Sequence, residues 1–348
     1  MLIKKKVRIM DLSDRKKKIL SAVVDKYIMT GEPVGSKVLC GDLAVSSATV
    51  RNEMSELSEL GYLDQPHTSA GRIPSQRGLR YYINNLMQNY DISDAERFSI
   101  ENRFDSTVGE PEEIISHAAK LLSDITGCAS VASTPYDPQA VIKRVELVPI
   151  SSSAVMIVVL VSTGVIRSRI CRCENEININ VAELFYNIAA AHFIGRCPSE
   201  LTIAKIQTLA ASLGDKAFTM IPLLFALYEL SDEASRFNVI TEGQSNLLNY
   251  KELEADVYNI YEFLKMKSGL YQILRSGRDN LSVSIGRESM NRALENTSII
   301  SSRYSVGGKV VGSMGIIGPL RMDYSRIIPT IMFISETVGN VLSGTIDE

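Results

Sequence analysis

Tryptophan is absent from this 348-residue chain, and histidine occurs only as His67, His117 and His192. Three scattered imidazoles offer little for a histidine metal centre or a general base. The five cysteines, Cys40, Cys128, Cys171, Cys173 and Cys197, are odd in number and include no C-x-x-C pair. That argues against a disulfide framework and for free thiols in a reducing compartment. Long apolar runs are also missing. The longest, at 154–161, falls well short of the ~20 residues that span a bilayer. Residues 1–10 are basic, but no apolar signal core follows them. The expectation is a cytoplasmic protein with no membrane partner.

Charge of either sign is nearly balanced, at −3 overall, but it is unevenly distributed. Residues 1–90 carry 14 Lys and Arg against 9 Asp and Glu, a net of +5, which leaves −8 for the rest. A basic end on an acidic body suits a polyanionic partner bound at that end only. Hydrophobic residues make up 45% of the chain, enough for sizeable cores and roughly two or three domains.

Ser13 is placed to cap a first helix whose Ile19, Leu20, Val23, Val24, Tyr27 and Ile28 recur at spacings of three and four. Gly31 and Pro33 end it. Ser36 opens a short second helix to about Cys40. Ser46 or Ser47 caps a third, with Val50, Met54 and Leu57 as its buried stripe and Gly61 as its stop. A short strand at 62–65, a loop or β-hairpin at 66–78 and a fourth helix follow. Residues 91–113 read as a connector and 114–125 as an amphipathic helix. Three strands are expected at 143–149, 154–161 and 165–172, and a helix at 181–194. The pattern then turns mostly helical to about 275, with only a brief apolar piece at 238–240. Strands return at 281–285, 298–304 and 309–317, before a last helix at 323–342. Strands, helices and strands again predict an α+β domain with a mostly helical insertion.

Three short helices and a basic hairpin bounded by glycine and proline are the parts of a winged helix, although an ordinary surface helix fits 46–60 too. A groove-entering helix buries one face and offers small or bidentate polar groups on the other. Ser47, Thr49, Arg51 and Asn52 form that face, with Arg51 suited to guanine and Asn52 to adenine. Ser36, Lys37, His67, Ser69, Gly71, Arg72, Ser75 and Arg77 are the candidate contacts to the DNA backbone. His67 serves equally well as a turn residue.

Other candidates are thin. Cys171 and Cys173 share one face of a strand, with no His or Asp cluster to complete a metal site. His117 and His192 are single and helical, which fits polar packing. The stretch 307–312 lacks the spacing of a phosphate loop and reads as a hairpin turn. No cofactor, metal or catalytic constellation emerges, so an enzyme with an accessory DNA-binding head has nothing to carry it.

Specific words add to these patterns. Gly35-Ser36-Lys37, S-S-A-T-V-R-N-E-M at 46–54, L-S-E-L-G-Y-L at 57–63 and H-T-S-A-G-R-I-P at 67–74 occur in order. Toward the other end stand Ile285-Gly286-Arg287-Glu288 and I-G-P-L-R-M-D-Y at 317–324. The chain resembles the HrcA family of heat-inducible repressors over nearly its whole length, most thinly between about 195 and 280. Leu79 stands where the family more usually has an aromatic residue. The resemblance implies a homodimer on an inverted-repeat operator of double-stranded DNA, upstream of the groESL and grpE-dnaK-dnaJ chaperone operons. It further implies chaperonin GroEL as modulator, and a GAF-like domain interrupted by a dimerising insertion. The expected division is 1–78 for the winged helix, 79–112 for the connector, 113–194 and 276–348 for the GAF-like domain and 195–275 for the helical insertion. The rival reading is a metabolite-sensing regulator with a ligand in the GAF-like domain.

Overall fold

The computed structural model describes residues 12–43, 45–67, 70–88, 90–104, 110–174, 176–276 and 279–347. Helix α1 (Asp14–Thr30) starts where the Ser13 hydroxyl accepts the Lys16 N–H. It stops at Gly31, whose left-handed φ of 71° lets its N–H reach the Tyr27 carbonyl. Helices α2 (Ser36–Leu43) and α3 (Ser47–Glu59) follow, then β1 (Leu63–Asp64), β2 (Ile73–Pro74) and α4 (Gln76–Asn85). Strands β1 and β2 pair antiparallel, Leu63 opposite Pro74. Leu20, Val23, Val50, Leu57 and Leu79 are fully buried where these helices meet. Each contributes roughly 1.5–3 kcal/mol by leaving water.

After α5 (Asp94–Glu101) and α6 (Pro111–Thr126) comes β3 (Ala129–Ser133). A meander of β4 (Ile142–Ser151), β5 (Ala154–Val161) and β6 (Ile166–Arg172) forms its own three-stranded sheet in the order β4-β5-β6. Helices α7 (Ile179–His192), α8 (Ile203–Ser212) and α9 (Ala217–Ala234) complete that unit. The chain returns through β7 (Val239–Glu242), α10 (Val257–Leu264), α11 (Lys267–Arg275), β8 (Leu281–Ile285), β9 (Thr297–Val306), β10 (Lys309–Pro319) and α12 (Tyr324–Asp347). A second, five-stranded antiparallel sheet has the order β7-β3-β10-β9-β8. The result is a mixed α/β protein.

Three apolar clusters organise it. One runs without a break from α1, α3 and α4 through α6, β10 and α12. The second is confined to 142–234, and the third joins α10 and α11 to Val131, Ile299 and Ile317 of the five-stranded sheet. This corrects the expected division at 194/195, which cuts through one core: among the described residues β4 to β6 pair as strands only with each other, and β5 and β6 pack against α9. The expected end at 275 also moves. Strand β7 hydrogen-bonds to β3, with Val131 opposite Thr241, so the segment from β7 onward belongs to the five-stranded sheet. The inserted unit is therefore 142–234, part sheet and part helix. The N-terminal unit likewise extends past 78, because α4 packs within it and the Tyr82 hydroxyl donates to Asp25 of α1 at 2.6 Å.

Helix α12 contains a stretch long and apolar enough to cross a membrane, but it packs on β9 and α6, with Ile331, Ile334 and Val338 fully buried. Cys171 and Cys173 are buried free thiols, pushed above the usual cysteine range by burial. His117 lies against the Phe104 ring.

Candidate nucleic-acid interface

Helix α3 is built to present one face. Its Ser46 cap accepts the Thr49 N–H at 3.2 Å, and Val50, Met54 and Leu57 point inward. Glu53 is drawn in from the surface, while Glu56 stays exposed. They pair with Lys16 of α1 at 3.0 and 2.7 Å, and those two hydrogen bonds raise the Lys16 pKa. The pairing with Lys16 partly offsets the negative charge of these carboxylates beside Arg51 and Asn52. Both of these are exposed, and neither has a side-chain partner among the described residues. The smaller members of the predicted face are engaged locally. The Thr49 hydroxyl lies 2.8 Å from that of Ser46, and the Ser47 hydroxyl lies 3.2 Å from that of Ser36, which ties α3 to α2.

The hairpin sits beside this face. Val34 and Arg72 exchange backbone hydrogen bonds of 2.8 and 2.9 Å, so the segment before α2 adds a rung to the β1–β2 pair. Gly71 makes that approach possible. A Cβ there would lie 2.5 Å from the carbonyl carbon and oxygen of Val34. The Gln65 amide donates to Ala70 at 3.2 Å, and the Ala70 N–H to the His67 carbonyl at 2.9 Å, which closes the loop. His67 is exposed in that turn, Lys37 is exposed on α2, and Ser69 lies outside the described residues. A cleft of about 570 Å³ opens between α2, α3 and the hairpin, lined by Ser36, Lys37, Arg51, Gln65 and Arg72 among others. The Arg72 guanidinium is half-buried there, and its Nε has no hydrogen-bond partner among the described residues.

Two of the expected backbone contacts already hold bonds within the protein. Ser75 is not a free donor: its hydroxyl donates to the Gly61 carbonyl at 2.7 Å and accepts the Gly78 N–H at 3.0 Å as the cap of α4. Arg77 turns away from the hairpin to the end of α3. It donates to the Leu60 carbonyl at 3.0 Å and stacks over the Tyr62 ring, 4.6 Å from its centroid. Cations at a helix C-terminus satisfy its last carbonyls and oppose its dipole. Arg77→Ala is therefore expected to lower stability by about 1–2 kcal/mol in thermal melts while leaving the salt dependence of DNA binding unchanged. A flattened salt slope would return Arg77 to the phosphate contacts. The Lys16 clamp and the Val34–Arg72 rung were not foreseen. The i, i+3 spacing of Glu53 and Glu56 was the available signal for the clamp.

An exposed guanidinium and carboxamide on one helix, flanked by a pinned hairpin, equip a DNA-binding transcription regulator. Comparison with known proteins agrees. Residues 112–328 match the family model described as the HrcA protein C-terminal domain. The heat-inducible transcription repressor HrcA of Caldanaerobacter subterraneus subsp. tengcongensis is 36% identical over 96% of this chain and 98% of its own. That of Acetivibrio thermocellus is 32% identical over 96% and 100%. A crystal structure of a protein described only as hypothetical matches with a TM-score of 0.72 and 27% identity, covering 96% of this chain and all of that one. The chain belongs to the HrcA family of heat-inducible transcription repressors.

Proposed function

We propose that this repressor binds an inverted-repeat operator upstream of chaperone operons as a cytoplasmic homodimer. Its N-terminal winged helix meets each half-site, and its five-stranded sheet forms the GAF-like body. The single observation that carries the DNA reading is the α3 surface, where Arg51 and Asn52 are exposed while Glu53 and Glu56 are paired with Lys16. Ser47 and Thr49 border that surface. Ser36, Lys37, His67, Gly71 and Arg72 line the path of the phosphates beside it. Dimerisation is supported by large apolar side chains left exposed on the inserted unit, including Ile170 at 60%, Ile179 at 77% and Phe218 at 81%. A two-fold pair suits a palindrome. The groESL and grpE-dnaK-dnaJ targets and modulation by GroEL follow from the family likeness.

The test is a gel shift with duplexes from the chaperone promoters of the same genome, with and without chaperonin. Arg51→Ala is expected to weaken operator binding by roughly 1–3 kcal/mol and relax base preference at one position. Equal loss on random duplex would make Arg51 a phosphate contact instead. The metabolite-sensing reading has one observation in its favour. A cleft of about 280 Å³ beside β10 is lined by Tyr136, Tyr271, Arg275 and Arg303, among others. Native mass spectrometry showing a stoichiometric small molecule would favour it.

A further inference from the structure

Helix α4 begins one residue after the hairpin, and its first turn grips in two directions. Toward the DNA-binding side, Ser75 holds the Gly61 carbonyl and Arg77 holds the Leu60 carbonyl, both at the end of α3. Toward the body, Gln76 and Arg80 hold β8 and the segment that follows it. The Gln76 amide donates to the Glu295 carbonyl at 3.0 Å, and its oxygen accepts the Arg287 N–H at 3.1 Å. Arg80 forms a two-pronged pair with Glu288, its Nε 3.0 Å from Oε1 and a terminal nitrogen on Oε2, and also donates to the Val283 carbonyl at 2.6 Å. Glu288 is itself anchored by the Ile285 N–H at 2.9 Å.

The receiving segment is shaped for this contact. Gly286 has a left-handed φ of 55°, and a Cβ on it would lie 2.2 Å from the Gln76 amide nitrogen. Met290, 95% exposed, also has a left-handed φ, at 52°, which is uncommon for a residue with a side chain. Strained backbone persists where the surroundings fix it for a purpose. The word Ile285-Gly286-Arg287-Glu288 thus touches α4, the helix whose first turn also holds the end of α3. The continuous apolar core also joins the N-terminal unit to the body and restricts its movement by close packing, but the hydrophobic driving force itself is non-directional. A bidentate arginine–carboxylate pair adds a directional constraint to that packing.

We propose that the first turn of α4 is a positioning bar. Gln76 and Arg80, latched to 283–295, fix the angle at which α3 meets DNA, and so fix the half-site spacing that the two protomers read. The proposal rests on the dimeric operator reading above. The residues act through α3 and touch no base themselves.

The experiment uses the full chain as wild type, Glu288→Ala, Gly286→Ala, and the charge exchange Arg80→Glu with Glu288→Arg. Gly286→Ala displaces Gln76, whereas Glu288→Ala frees Arg80, so the two variants attack different halves of the latch. Circular dichroism melts confirm folding, and Arg80→Lys, which keeps the charge but loses the fork, replaces any variant that does not fold. The probes are the inverted-repeat duplex from a chaperone promoter of the same genome, the same repeat with longer and shorter spacers, and a single half-site. Half-site affinity is expected to stay at the wild-type level. Affinity for the naturally spaced repeat should fall about tenfold, the preference among spacers should flatten, and the charge exchange should restore part of both. Variants that keep the wild-type spacer preference and affinity would overturn the proposal. So would an equal loss on half-site and repeat, which would make the latch a fold support only. Wild-type protein with no preference for the inverted repeat would instead overturn the dimeric operator reading and the proposal with it.

Discussion

Gly71→Ala is expected to cost the protein its DNA binding on every duplex, operator or not, by more than tenfold. The new methyl group would sit 2.5 Å from the carbonyl carbon and oxygen of Val34 and 2.9 Å from the Gly35 nitrogen. All three are backbone atoms, so no rotamer change relieves the clash. The chain has to move, and overpacking of this kind costs about 1–3 kcal/mol. The movement falls on the two hydrogen bonds between Val34 and Arg72, which pin the hairpin beside α2 and α3. With that rung broken, Lys37, Arg51 and Arg72 no longer share one cleft. Filter-binding titrations on operator and random duplexes check the effect, and a melt that shows the body intact separates it from global unfolding. Wild-type affinity in the variant would mean that the hairpin position does not matter for DNA. The contrast with Gly286→Ala is useful. There the intruding methyl meets only the end of the Gln76 side chain, and DNA contact itself should survive.

The largest effect on stability is expected from Phe185→Ala. Phe185 is fully buried at the centre of the 142–234 cluster, which includes Val159, Leu223 and Leu227. Truncating a buried phenylalanine costs about 3–5 kcal/mol, because lost transfer energy and a new cavity add together. That cluster shares no buried residue with the other two. The loss should therefore appear as a separate, lower-temperature transition in calorimetry, with the main transition unmoved. On the proposed dimer, size-exclusion chromatography should show a shift toward monomer as the inserted unit loosens. A single transition displaced as a whole would mean that 142–234 does not unfold as its own unit. A variant that stays dimeric would place the contact between protomers elsewhere.

Much of the local structure was legible in the residues. Leu20, Val23, Val50 and Leu57 lie on the buried faces that their spacing gave them, because helical periodicity fixes which side chains share a face. The strands at 154–161 and 281–285 are at their expected positions. Strand β3 was missed. Its five residues, Ala129 to Ser133, are all buried, so they show no alternation of polar and apolar side chains, and their small size gives little hydrophobic signal. A strand covered on both faces hides itself in this way. The site was legible only in its outline. Arg51 and Asn52 face outward as their helical phase requires, whereas Ser75 and Arg77 have the right chemistry for phosphates and are spent on the ends of α4 and α3.

By itself the chain's order of residues determined that there is a basic, helix-rich start, where α1 and α3 begin and end, and which family it belongs to. Those properties are local, set by capping groups, periodicity and contiguous words. Only the tertiary structure decided that β4 to β6 fold with α7 to α9, that a donor near the hairpin grips α3, and that a motif some two hundred residues away receives Gln76 and Arg80. Each of these is a partnership between distant segments. The same arginine or serine can serve solvent, phosphate or carbonyl, and the choice falls to whichever acceptor the fold brings within hydrogen-bond reach.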